Sequence, residues 1–320
     1  MKEIKVTDIQ NIRIGQAENR EAGTGVTVII SEQGCPVGCD VRGGGPAGRE
    51  TELLKPLANA QFIHAVVLGG GSAYGLEAGC GVMEYLEQHN IGYDVGIAKV
   101  PLVCQSDLFD LTVGDPSIRP DKEMGYQACA ASEAGNYRDG NYGAGCGATV
   151  GKMYGMETCM KSGIGSYAVQ NGQLQVGAIV AVNALGDIYD PETGKKIAGL
   201  LTEDKKGFRD TCQEMYKTYE VVENKFTGNT TIGVILTNAK FNKVQLCKIA
   251  SMGHNGYARA IRPVHTSADG DTIYALSTEQ IDADQDMVGT LAADVMAKAI
   301  VNAIKHAESA YGHKAYKEEN

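Results

Sequence analysis

The 320-residue sequence predicts an α/β fold, in which sheets are covered by helices on the outside, and three observations carry that expectation. Short runs rich in Val and Ile recur along the chain, apolar on both alternating phases and so suited to strands buried on both faces. Segments with apolar residues at helical spacing lie between and after these runs. The 41 glycines gather at the ends of the apolar runs, where they act as punctuation and not as a low-complexity block.

In chain order, GVTVII at 25–30 is the first strand and HAVVLGGG at 64–71 the second. The glycine turn closing the second opens a helix over 73–90, where apolar Leu76, Val82, Met83 and Leu86 are interleaved with Glu77, Glu84, Glu87 and Gln88. VGAIVAVNAL at 176–185 and TTIGVILTN at 230–238 are two further strands. A second helix opens after Asn238, a residue type suited to an N-cap, and carries Val244, Leu246, Ile249, Ala250 and Met252. DTIYALST at 271–278 is a fifth strand, and the apolar face of 284–309 makes a closing helix. With no internal repeat and no charged or proline-rich linker, residues 1–320 read as a single layered domain.

A formal charge of -10 and a pI near 5.2 leave no basic stripe, which argues against a nucleic-acid partner or an anionic membrane surface. The first residues, MKEIKVTDIQNIRIG, lack the apolar core of a secretory signal, and no window approaches the ~18 apolar residues of a membrane span. A cytoplasmic protein is expected. Nine scattered cysteines include one close pair, Cys35 and Cys39, with no second pair to complete a four-ligand zinc site. The six histidines form no metal-binding or triad motif, so a histidine-based metal or triad site is unsupported.

Two glycine-rich turns invite a closer look. VVLGGGSAYGLEAG at 66–79 lacks both the G-x-G-x-x-G spacing and a following G-K-[ST], which argues against a nucleotide. Gly70, Gly71 and Ser72 remain candidates either for a tight turn or for presenting backbone N–H groups to a negative oxygen. GNYGAGCGATVGK at 140–152 is a second such turn and ends in Lys152.

The chemistry centres on Asn229-Thr230-Thr231 at the mouth of the 230–238 strand. Gly228-Asn229 is also ordinary turn material. A threonine hydroxyl needs a base, and an N-terminal threonine carries one in its own α-amine, whose ordinary pKa of about 7.7–8.0 suits neutral pH. An internal Thr230 would reach that state only by scission of the Asn229–Thr230 bond. Downstream, Asp269 and Asp271 flank Gly270 and would share one strand face, either to orient Thr230 or simply to shape the turn.

Five blocks, TDIQNIRIGQA, DVRGGGPAGRETELL, VVLGGGSAYGLEAGCGVMEYLE, GAGCGATVGK and NTTIGVILTNA, resemble in this order the DmpA-type family of L-aminopeptidase/D-esterases, β-peptidyl aminopeptidases and nylon-oligomer hydrolases. The resemblance runs from residue 8 to about residue 278. It implies a four-layer αββα sandwich, similar to ornithine acetyltransferase and related to N-terminal nucleophile hydrolases. It also implies self-cleavage into chains 1–229 and 230–320 that remain each other's partners, a homotetramer, and hydrolysis of small peptides or amides without metal or cofactor. By resemblance the nucleophile falls on Thr230, its polar partners on Asp269 and Asp271, an oxyanion-holding asparagine on Asn183 and a lysine on Lys152. A tyrosine position falls on Phe109, which lacks the phenol, and a substrate-amine acid falls near Asp107. The Asn-Thr-Thr junction with paired aspartates is most similar to the nylon-hydrolase branch. Acyl transfer to an amine, or a non-catalytic ligand-binding protein that never cuts itself, are the rival readings.

Overall fold

The computed structural model describes residues 1–217 and 228–318. At its centre two sheets pack face to face. The larger has six strands in the order Lys2–Ile4, Ile164–Asn171, Leu174–Asn183, Thr230–Ala239, Thr272–Ile281 and Val37–Val41. The smaller has five, in the order Arg13–Asn19, Thr24–Cys35, Ile63–Gly69, Val103–Asp107 and Ala47–Arg49. Each sheet contains one parallel pair, Thr230–Ala239 beside Thr272–Ile281 and Ile63–Gly69 beside Val103–Asp107, among antiparallel neighbours. Parallel neighbours need a crossover. Helix Lys243–Ala260 lies within the first crossover and helix Ala78–Gln88 within the second.

Side-chain alternation explains why the strands read as apolar on both phases. Val176, Ala178, Val180 and Val182 join a core with Leu246, Ile249 and Ile300 of helices Lys243–Ala260 and Gln285–His306. Their neighbours Ile179 and Ala181 point the other way, into a core shared with Ile29, Val66 and Leu68 of the second sheet. On that sheet's far side, Val26, Val28 and Ile30 pack beneath Val82 and Leu86 of Ala78–Gln88 and Ala128 of Lys122–Ala131. The order is helix, sheet, sheet, helix, the αββα sandwich.

Three details depart from the sequence reading. The helix expected over 73–90 begins as a 3-10 segment, Ser72–Glu77, before Ala78–Gln88, because the chain leaves the glycine turn left-handed at Gly71 (φ 79°) and Ser72 (φ 55°). Asn238 caps no helix. It lies in the strand, where its side chain accepts from Gln175 N and donates to Gln173 O, each at 2.8 Å. The cap is Asn242, which exchanges 3.0 Å bonds with Gln245 in a reciprocal capping box. Finally, one helix, Gln285–His306, is long and apolar enough by length and composition to cross a membrane, against the expectation of none. Its apolar residues are spent on the sheet core.

Candidate active site

The ladder between Leu174–Asn183 and Thr230–Ala239 sets Asn183 directly opposite Thr230, where both strands end. On the other side, the loop entering Thr272–Ile281 delivers Asp269, Gly270 and Asp271. Residues about 50 and 40 positions apart in the chain thus meet because three central strands end together.

Thr230 is buried, and its hydroxyl donates to the carbonyl oxygen of Asn229. The same oxygen accepts the Gly270 N–H at 3.1 Å. Position 270 requires glycine, since a β-carbon there would stand 2.7 Å from Thr230 Oγ1. The Asn229 carbonyl oxygen therefore carries the Thr230 hydroxyl and a backbone donor together.

Asn183 is fully buried. Its Nδ2 donates to Phe109 O at 2.8 Å and Gly228 O at 3.3 Å, while its Oδ1 accepts from Thr149 N at 3.0 Å and Lys152 Nζ at 2.8 Å. Lys152, also buried, donates further to Asn183 O at 3.0 Å and Gly228 O at 2.9 Å. Burial pushes its pKa down to about 7, against the opposing pull of Cys159, Asp269 and Asp110.

The two carboxylates are both buried beside Thr230, but they do different work. Asp271 accepts the Thr231 N–H on Oδ1 at 2.8 Å and, on Oδ2, His265 N at 3.0 Å and His265 Nδ1 at 2.9 Å. Asp269 accepts Thr266 N at 3.0 Å and Thr266 Oγ1 at 2.5 Å on Oδ2, and Leu185 N at 3.4 Å on Oδ1. Burial first, then the neighbouring Asp271, push its carboxyl up to about 6. Among the described residues neither carboxylate bonds the Thr230 hydroxyl. Asp271 instead fixes the backbone one residue beyond it.

The expected glycine-turn donors are placed otherwise. The N–H groups of Gly70, Gly71 and Ser72 go to Gly25 O at 3.0 Å, Asp110 Oδ1 at 2.7 Å and Leu108 O at 2.9 Å, so all three are committed inside the protein. The turn is a packed corner, with Asp110 as its hub, since that carboxylate also accepts Thr24 Oγ1 at 2.8 Å. Asp107 ends its strand buried, with Oδ1 accepting from Gln105 Nε2 at 2.8 Å and Oδ2 without a partner among the described residues. Burial, reinforced by Asp110, raises its carboxyl well above the usual range. Phe109 is half-buried and contributes its carbonyl to Asn183, so the 107–110 segment forms one wall of the site. Sequence reasoning missed Gly270, His265 and Asp110. The close D-G-D spacing was the available signal for the first; the other two are isolated in sequence and are brought in only by packing.

Comparison with known proteins agrees with this architecture. The model of peptidase family S58 matches residues 5–317. An uncharacterised aminopeptidase of Mycobacterium leprae is 35% identical, over 97% of this chain and 92% of the relative. A 6-aminohexanoate-oligomer endohydrolase of Agromyces sp. is 30% identical, over 93% and 85%. Among solved structures, the L-aminopeptidase D-Ala-esterase/amidase of Ochrobactrum anthropi, described as a variant of the Ntn hydrolase fold, superposes with a TM-score of 0.68 at 19% identity, covering 94% of this chain and 86% of that one. A β-aminopeptidase of Burkholderia sp. gives 0.66 at 19% identity with the same coverage. The αββα layering, the near full-length family match and the two relatives at 30% identity or more place the chain in peptidase family S58, as a hydrolase of amide or peptide bonds.

Proposed function

We propose that the chain cuts its own Asn229–Thr230 bond and that the freed Thr230 is the nucleophile of an amide hydrolase. The observation that carries this reading is the Asn229 carbonyl oxygen, held by the Thr230 hydroxyl on one side and the Gly270 N–H on the other. Thr230 Oγ attacks the Asn229 carbonyl carbon, and the oxygen's developing charge falls on the Gly270 donor. Collapse breaks the C–N bond, the Thr230 nitrogen takes the proton given up by Oγ, and the acyl group is left as an ester on Oγ. Water then releases Asn229 as a carboxylate and Thr230 with a free α-amine. In turnover that amine takes the Oγ proton and returns it to the leaving amine of the substrate.

Lys152 and Asn183 both donate to Gly228 O in the uncut chain. After the segment leaves, the same donors face an incoming acyl group. Asp107, with one buried oxygen unpartnered among the described residues, would take the substrate ammonium, whose charge would favour the ionised form that burial opposes. Small peptides with a free amino terminus and linear amide oligomers are the classes to try, since the relatives carry the names aminopeptidase and 6-aminohexanoate-oligomer endohydrolase. Intact-mass measurement tests the reading: a mature preparation should give fragments 1–229 and 230–320, and Thr230→Ala a single inactive chain. A wild-type preparation that stays uncut, as a pure binding protein would, refutes it. Product analysis with and without an added amine acceptor separates hydrolysis from acyl transfer.

A further inference from the structure

We infer that His265 is a positioning residue for Thr230, acting through Asp271; this rests on Thr230 being the nucleophile. Three features converge on it. First, His265 supplies two donors, its backbone N and ring Nδ1, to the single oxygen Asp271 Oδ2, while the other oxygen holds Thr231 N at 2.8 Å. A carboxylate only accepts, so the ring presents its Nδ1–H tautomer. The chain of contacts runs from imidazole to carboxylate to the peptide unit that carries Thr230.

Second, His265 sits at φ 59°, in the left-handed region that residues other than glycine seldom adopt but that Asn, Asp and His tolerate best. Its ring is largely buried and meets Asp271 Oδ2, so the side chain at this bend serves a contact inside the protein and is not a solvent-facing turn residue. Third, the ring is held from behind. His254 packs edge-on with ring centroids 4.7 Å apart, and Tyr257 stacks at 6.0 Å. His254 is anchored in turn by Asp40 O at 3.0 Å, and Arg42 pairs with the Asp40 carboxylate at 2.8 Å. Asp271 therefore has one fixed orientation, and Thr231 N, at the head of the central strand, is pinned with it.

The consequence is that losing the imidazole donor lets Asp271 rotate and loosens Thr230 without removing any group that touches the scissile carbonyl. Self-cleavage reads this out with no need to know the substrate. His265→Gly keeps the left-handed backbone and loses the ring donor. His265→Asn keeps the backbone preference and restores a side-chain N–H at a similar reach. The expected result is self-cleavage at least tenfold slower in His265→Gly and largely rescued in His265→Asn, with melting temperatures of the two variants alike. Equal rates in His265→Gly and wild type, or equal losses in the two variants, would overturn the assignment. Thr230→Ala, run beside them, separates the layers: if it still splits at 229–230 the nucleophile itself is wrong, whereas an uncut Thr230→Ala with a fully active His265→Gly removes only His265.

Discussion

One added methyl group should test the geometry of the scissile bond most directly. In Gly270→Ala the new β-carbon would stand 2.7 Å from Thr230 Oγ1, 2.9 Å from Gly45 O and 3.2 Å from Pro46 Cα. An ordinary contact begins near 3.4 Å, so the hydroxyl has to retreat by about 0.7 Å if the backbone holds. Misplacement by ~1 Å can cost about a hundredfold, so a tenfold or greater loss, about 1.4 kcal/mol of barrier, is expected for both self-cleavage and turnover. Overpacking against Gly45 and Pro46 also lowers stability by about 1–3 kcal/mol. Rates are therefore followed on denaturing gels well below the melting transition. Gly45→Ala is the matched control, because a β-carbon there comes no closer than 3.9 Å to Asp269 O. It should cut at the wild-type rate. Wild-type cleavage in Gly270→Ala would show that the hydroxyl is not where the reaction needs it, and would refute the attack geometry.

The carboxylates should prove unequal. Asp271 accepts three donors with two oxygens, whereas Asn offers one acceptor and turns an NH2 toward a donor, so Asp271→Asn should lower kcat by tenfold or more. Asp269 accepts from Thr266 and Leu185 and, among the described residues, bonds neither Thr230 nor Thr231, so Asp269→Asn should cost less, and equal losses would contradict the placement. Lys152 supplies a pH test. Its pKa falls from 10.5 in the open chain to about 7 in the fold, so its contribution to stability is present above 10.5 and lost as pH falls through 7. On a Thr230→Ala background, the stability difference between the Lys152 protein and Lys152→Met, measured by denaturant titration, should move in favour of lysine from pH 7 to pH 9.5; a flat difference rules out a buried, desolvated amine.

The layered core was legible because both-phase apolar runs such as VGAIVAVN and TTIGVILT have one physical explanation, burial on both faces, and the two cores on either side of Leu174–Asn183 supply it. The short edge strands Lys2–Ile4 and Ala47–Arg49 carry no such pattern, since three residues cannot display a period. Asn238 misled because an asparagine satisfies stray backbone groups equally well at a strand end and at a helix start, and the sequence offers Asn242 four residues later. At the site, Thr230 and Asp271 stand out by residue type and spacing only as candidates, with a turn as the other reading, and the family resemblance is what gives them a role. His265 and Asp110 do not, because their value comes from loops folding back: the 265–271 bend for one, and the meeting of Asp110 with Gly71 and Thr24 for the other. The glycine turn at 70–72 looked like a set of open donors because sequence shows N–H groups but not who has already claimed them.

The strand order of the larger sheet has a consequence for the protein if the proposed scission takes place. Thr230–Ala239 and Thr272–Ile281 sit side by side, flanked by Leu174–Asn183 on one edge and Val37–Val41 on the other. A cut before Thr230 therefore leaves the carboxy-terminal piece wedged between two strands of the amino-terminal piece, joined by ladders of eight and five residue pairs. Up to that moment folding is unimolecular. Afterwards, any molecule that unfolds must find its other half in solution, and recovery depends on concentration. On the proposed reading the sheet would have to be complete before the bond is broken, and the cut protein would then be preserved by how slowly it opens and not by how readily it returns.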